Sequence, residues 1–394
     1  MSDGNRRVAL IGGIPLDLPS DVFDLVGQKL SGFVSRVPDG EQASRGGWFE
    51  YQAQAFDAAD ALERSPSGRA FPLLPPDELK RLHPELLKAR PELIDNAQEL
   101  FKFFQERAAE GTGPSTLMLP PFQLKDGAKA EDVSLGGLGA AAIELESYEE
   151  FKLARDRGDL PQDARYVACF PTPRTYLPIV LTPETVEDVL PEYERALGRE
   201  FARIAEEIPH EDLTIQFDVC DFVSARLEEP TPDQWTLPME LDAEPHSADS
   251  IVASLARITA SVPEAVEVSM HFCYGSPGNM HVFEPRDTAV MVDFANRLHK
   301  DLGHSVAYVH MPVPKDRDDL AYFEPLRDLE IGETELYLGL VHKSDGLEGG
   351  QRRVNAASEV VDSFGIATEC GWSSYTKAEV PELMDLHAEI ATQS

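Results

Sequence analysis

Histidine and cysteine recur at the C-terminal ends of successive strand-like runs in the second half of the chain, a pattern that could hold a metal ion. VEVSMHFCYG (266–275) carries His271 and Cys273, SVAYVHMPVP (305–314) carries His310, ELYLGLVHKSDG (335–346) carries His342 and GIATECGWSS (365–374) carries Cys370. A strand alternates its faces every second residue, so His271 and Cys273 project on the same side. If these strands are parallel and close into a barrel, their C-terminal ends meet in the pocket where such folds keep their chemistry. Imidazole and thiolate together favour zinc over magnesium or calcium. His-x-Cys alone is a weak signal, because a buried thiol beside a satisfied histidine is an ordinary core feature. Convergence strengthens it: Cys370, followed by Gly371, ends the last run, and His310 and His342 end the two between.

The elements that must position these residues are legible as alternation. Runs rich in Val, Ile, Leu and aromatics lie at about 8–14, 33–37, 165–171, 213–220, 266–273, 305–311, 335–342 and 365–370. Most precede a helical pattern: Ser20 to Leu30, Pro183 to Glu207, Ala248 to Ser261, Asp287 to Asp301, Gln351 to Phe364 and Ala378 to Ile390. Thr182 and Pro183 read as an N-cap and first turn, and Gly303 and Gly365 as helix stops. Strand and helix alternating in this way predict one α/β domain over 1–394, a (β/α)8 TIM barrel. Residues 42–160 remain between the second and third strands, as a mainly helical insertion near the barrel mouth or an interface. Within it Glu92 to Ala109 has the spacing of an amphipathic helix. STLMLPPFQL (115–124) and Gly139 to Leu145 could pair as a short hairpin or arm, and Glu228 to His246 reads as an active-site loop.

Charge narrows the partners. With 35 Lys plus Arg against 70 Asp plus Glu among 394 residues, the formal charge is 35 − 70 = −35, which opposes nucleic acid and anionic membrane. No stretch approaches the ~20 apolar residues of a membrane helix. The start, MSDGNRRVALIGGIP, lacks a signal-peptide pattern, and four widely spaced cysteines do not suggest a disulfide framework, so a cytoplasmic location is expected. Gly12 and Gly13 do not form a dinucleotide fingerprint.

The segments around His271/Cys273 and Cys370-Gly371, with LTIQFDVCDF (213–222), resemble the catalytic barrel of the cobalamin-independent methionine synthases. Their superfamily also includes epoxyalkane:coenzyme M transferase and the metal-independent uroporphyrinogen decarboxylases. The likeness covers mainly residues 210–375, with weaker echoes in VALIGGIP (8–15) and ACFPTPRTY (168–176). It implies that His271, Cys273 and Cys370 bind a catalytic zinc. Where the family has a glutamate ligand this chain offers His310, with Glu284 as the other candidate. Where the family's strand has two acidic residues this chain has Asp218 and then Val219, and it is too short for the second barrel that helps hold folate polyglutamate. The resemblance therefore implies zinc-dependent transfer of a methyl or other alkyl group to a small-molecule thiol, without methyl-folate polyglutamate as donor.

The residue chemistry agrees with that class. A thiol on zinc is deprotonated near neutral pH and can attack a saturated or epoxide carbon. His342, matching a histidine proposed as acid in the similar enzymes, is the expected proton donor, and Asp218 is expected to hold a substrate ammonium or position the thiol donor. Gln216, Asp39, Glu41, Arg45, Trp48, Tyr274, His281 and Lys343 are further candidates for substrate contacts at the same face. A homo-oligomer is compatible with all of this. A zinc-assisted lyase or hydrolase, and a zinc-binding protein without catalysis, are the alternatives.

Overall fold

The computed structural model describes residues 5–66, 80, 84–109, 120–237 and 246–392. Seven of the expected runs form one parallel sheet: β1 (Arg36–Pro38), β4 (Arg165–Pro171), β5 (Leu213–Val219), β6 (Glu267–Phe272), β7 (Val306–Pro312), β8 (Glu335–Val341) and β9 (Gly365–Thr368). Each strand's neighbour is the next sheet strand in the chain, so the order never reverses as it does in a doubly wound sheet. Two short strands, β2 (Leu62–Arg64) and β3 (Phe122–Leu124), make a separate antiparallel pair.

The sheet is curled. Arg36, at the start of β1, reaches Glu267 at the start of β6 (Nε–Oε2 2.6 Å) and Glu335 at the start of β8 (3.3 Å), which a flat sheet would keep apart. Inside the curl lies a small buried layer of Ala9, Ile11, Tyr308, Tyr337 and Ala367. A far larger apolar cluster fills the space between the sheet and the outer helices.

The first expected strand, 8–14, is not regular. It makes one bridge, Val8 to Ile366 of β9, with Ala9 N–H donating to Ile366 O (2.9 Å). On its other side Val8 N–H donates to Phe33 O (3.0 Å) and Ile14 N–H to Gly40 O (2.8 Å). Gly12, at φ +72°, breaks the extended backbone between these contacts.

Three local expectations are corrected. Gly139 to Leu145 starts no strand: helix Ala140–Arg157 begins there, and the Glu200 carboxylate accepts from Leu138 N–H (2.8 Å) and Ala141 N–H (2.6 Å), satisfying donors at the helix start. Strand β3 pairs with β2 instead, and residues 115–119 of the expected arm lie outside the described residues. Gly365 is the first residue of β9 and not a helix stop; a Cβ there would lie 2.4 Å from the Tyr337 ring. The preceding helix, Gly346–Ser358, ends before the β-branched pair Val360–Val361.

Within 42–160, Glu92–Ala109 is helical as expected. Ala140–Arg157 packs beside helices Pro19–Leu30 and Pro183–Glu207, in the place of a crossover helix between β1 and β4. Among the described residues no helix is long and apolar enough to cross a membrane.

Candidate metal centre

Strands β6 and β9 deliver the central group. His271 lies within β6, Cys273 just past its end, and Cys370 two residues beyond β9. His271 Nε2 is 3.4 Å from Cys370 Sγ, the two sulfurs are 3.7 Å apart, and one donor atom from each residue lies within 4.8 Å of the others. Cys370 Sγ also accepts from Ser276 Oγ at 3.1 Å.

Hydrogen bonding decides which imidazole nitrogen is available. His310 Nε2 is 3.0 Å from Thr368 O, and a carbonyl only accepts, so Nε2 carries the proton. Burial pushes the His310 pKa down to about 3, so the ring is neutral and its Nδ1 is an acceptor. His271 Nδ1, 2.8 Å away, must then be the donor, which leaves a lone pair on His271 Nε2 facing the thiols. Burial, then His310 and His281, hold His271 well below the ordinary histidine range, in the neutral form a metal needs. Without a cation, Cys273 and Cys370 sit well above the usual thiol range: contact with Cys220 dominates for Cys273, and contact with Cys273 followed by burial for Cys370. One imidazole lone pair and two crowded thiols, Cys273 buried and Cys370 partly so, are a donor set that suits zinc.

His310 therefore stands behind His271, not beside it. Both of its nitrogens are engaged, which differs from the expected fourth ligand; here a histidine takes the place of the carboxylate, carbonyl or water that more often orients a ligating histidine. His310→Ala is expected to weaken zinc affinity by roughly 10–100-fold while leaving the zinc–sulfur shell unchanged. Glu284→Ala should stay near wild type. Competition with a chromophoric chelator measures both, and loss of a nitrogen shell from the zinc-edge spectrum of His310→Ala would return His310 to the ligand set.

A carboxylate wall faces the thiols. Glu41 adopts φ +52°, and its carboxylate lies over two glycines: Gly12, whose φ of +72° favours glycine, and Gly13, where a Cβ would lie 2.0 Å from Ser373 Oγ. Burial first, then the charges of Asp218, Asp39 and Cys370, raises Glu41 well above the carboxylate range, and its Oε1 has no hydrogen-bond partner among the described residues. Asp218 is pushed up to about 7 by burial, although Gln216 Nε2 donates to it at 2.7 Å and the Trp48 indole N–H approaches it.

Sequence reasoning did not foresee a second pair, His281 with Glu284. His281 is buried, its Nδ1 lies 2.8 Å from Glu284 Oε2, and its Nε2 is buried without a partner among the described residues. Burial alone would lower its pKa, but the charge and hydrogen bond of Glu284 leave it raised. His342 is less free, since Nε2 donates to Val313 O (2.8 Å) and Nδ1 faces Glu369 Oε2 (3.4 Å). His-x₂-Glu in the loop after β6 was the available signal. Cys220, which follows β5 and faces Cys273 one step beyond the paired strands, was also passed over.

The other candidates are tied to the protein's own polar groups. Gln216 is fully buried between the Tyr308 hydroxyl and Asp218. Asp39 accepts from Ser147 Oγ (2.6 Å) and Glu41 N–H (2.8 Å), and Arg45 is tied to Asp39, Ser147 and Ile143 O. The Tyr274 hydroxyl bonds Glu228, and Lys343 pairs with Glu379 (2.8 Å) and Glu382 (3.2 Å) away from the thiols.

No family model and no curated protein matches the sequence. Solved structures do. A protein from Listeria monocytogenes assigned as a vitamin-B12-independent methionine synthase superposes with TM-score 0.52 at 11% identity, over 95% of this chain and 86% of its own. A B12-independent methionine synthase from Shewanella sp. W3-18-1, solved in complex with selenomethionine, gives TM-score 0.52 at 13% identity, over 98% and 96%. The chain has the fold of the B12-independent methionine synthases. At such identity the likeness speaks for the path of the backbone, and the chemistry must be argued from the side chains.

Proposed function

We propose that this protein transfers a methyl or other alkyl group to a small thiol, with zinc held by His271, Cys273 and Cys370. The observation that carries this reading is the meeting of the His271 Nε2 lone pair with two thiols inside a 4.8 Å group on the methionine synthase fold. In this reading the 8–14 segment is the eighth stave, closing the curled sheet into a (β/α)8 barrel whose C-terminal mouth holds the site. Zinc, when bound, supplies a positive charge that turns an incoming thiol into a thiolate near neutral pH.

The chain's own groups do the rest. Glu41 and Asp218 offer a buried pair of carboxyls with an open oxygen, which an ammonium group would satisfy, so the thiol is an amino thiol. His310 fixes the His271 ring through its Nδ1–H. His281, backed by Glu284, has the open nitrogen from which a proton can reach a departing amine or alkoxide. His342 and Glu369 form a second pair beside it. A cytoplasmic location would keep these thiols reduced.

The test uses zinc-loaded protein and two thiols, DL-homocysteine and 3-mercaptopropionate. The expected result is an additional zinc–sulfur scatterer at the zinc edge with homocysteine. Glu41→Gln and Asp218→Asn should weaken homocysteine binding by roughly 10-fold or more, the scale of a lost charge-assisted bond, and leave 3-mercaptopropionate unchanged. No added sulfur with either thiol would refute thiol activation, and equal losses for both thiols would refute the ammonium site.

A further inference from the structure

Cys220 has no part in the proposed transfer, yet the fold places it against the metal group. β5 and β6 run in parallel register with Val219 opposite Phe272, and the ladder continues one step, Cys273 N–H donating to Val219 O at 3.0 Å. The next facing positions are Cys220 and Cys273. Neighbouring strands lie ~4.8 Å apart, within the ~4.4–6.8 Å Cα separation that a disulfide spans. Each of the two thiols shifts the other's acidity before any other neighbour does, as facing positions should. Cys220 is held by its backbone N–H, which donates to Thr175 Oγ1 at 3.0 Å, and is partly exposed, whereas Cys273 is buried.

Its position is that of a resolving thiol. Cys220 lies outside the His271, Cys273 and Cys370 group, so zinc does not claim it. Cys370, the other thiol near Cys273, is engaged by Ser276 Oγ and faces His271, and its strand β9 is not paired with β6.

We propose that Cys220 and Cys273 form a reversible disulfide when the protein meets hydrogen peroxide, which removes Cys273 from the ligand group and releases the metal. The inference rests on the proposed zinc site only for its consequence, not for the bond itself. In the first step the Cys273 sulfur attacks peroxide, the O–O bond breaks, and the products are a sulfenic acid and water. Cys220 sulfur then attacks the sulfenic sulfur; the hydroxide displaced takes the Cys220 proton and leaves as water. In sum two thiols lose two electrons and two protons to one peroxide, giving one disulfide and two waters. A dithiol reductant reverses the bond by exchange.

The experiment treats metal-free and zinc-loaded protein with hydrogen peroxide, blocks remaining thiols with iodoacetamide and maps linked peptides by mass spectrometry. The expected result is a Cys220–Cys273 link in both samples, two of the four free thiols remaining, zinc release in step with the link, and recovery with dithiothreitol. Cys220→Ser should bind zinc as wild type does and release it several-fold more slowly under peroxide. A Cys273–Cys370 link, oxidation without any link, or equal zinc release from Cys220→Ser would overturn the proposal. Because the metal-free sample reports the link by itself, a protein that binds no zinc would refute the metal site while the mapping still decides the disulfide.

Discussion

Purified wild-type protein is expected to carry about one zinc per chain, and Cys273→Ser and Cys370→Ser should each lose most of it. The two sulfurs are 3.7 Å apart, and with His271 they are the donors that meet in one place, so removing either leaves two donors where zinc needs at least three. Serine keeps the volume but offers a hydroxyl that does not ionise near neutral pH. Retention of full zinc by both folded variants would refute the assignment. The fold itself should survive chelation, since the large apolar core lies between the sheet and the helices and does not depend on the His271, Cys273 and Cys370 group. Circular dichroism of chelated protein checks that separately from metal content.

His281→Asn is expected to lower turnover by ~10²-fold or more for alkyl donors whose leaving group is basic, the scale of a lost general acid. Zinc content and thiol binding should stay as in wild type. Donors that leave without a proton, such as sulfoniums, should be spared. Glu284→Gln should give an intermediate loss and move the activity limb governed by His281 to lower pH. The sign follows from the structure: Glu284 is what holds the His281 pKa up against burial, so removing its charge lets the proton leave earlier as pH rises. His342→Asn is the control for the competing assignment. If it loses turnover selectively for basic leaving groups and His281→Asn does not, proton delivery passes through the His342 and Glu369 pair instead. An equal loss for every donor in both variants would mean that these histidines only position the substrate.

Much of the fold was legible because the relevant signals are local. β4 follows the expected 165–171 without change, and β5 to β8 follow their runs within one or two residues, because buried parallel strands are continuous apolar runs bounded by turn residues. Pro183–Glu207 and Glu92–Ala109 show the same for helices. The chain also carried the metal-type donors in plain sight, because strand alternation puts His271 and Cys273 on one face whatever else the protein does.

Tertiary structure alone decided the roles of neighbours. Sequence order made His310 a ligand candidate and the family resemblance made His342 the acid, but a histidine's role depends on what each nitrogen meets, and Thr368 O, Val313 O and Glu369 are supplied by distant segments. Glu41 was only one of several candidate substrate contacts in the sequence; the approach of Gly12 and Gly13 and the influence of Asp218 show where its carboxylate lies. Cys220 follows an expected strand, β5, but parallel register alone sets it beside Cys273. A residue's type and its strand face are properties of a few consecutive positions. Its hydrogen-bond partners, burial and charge environment come from segments scores of residues away, brought together only when the sheet curls.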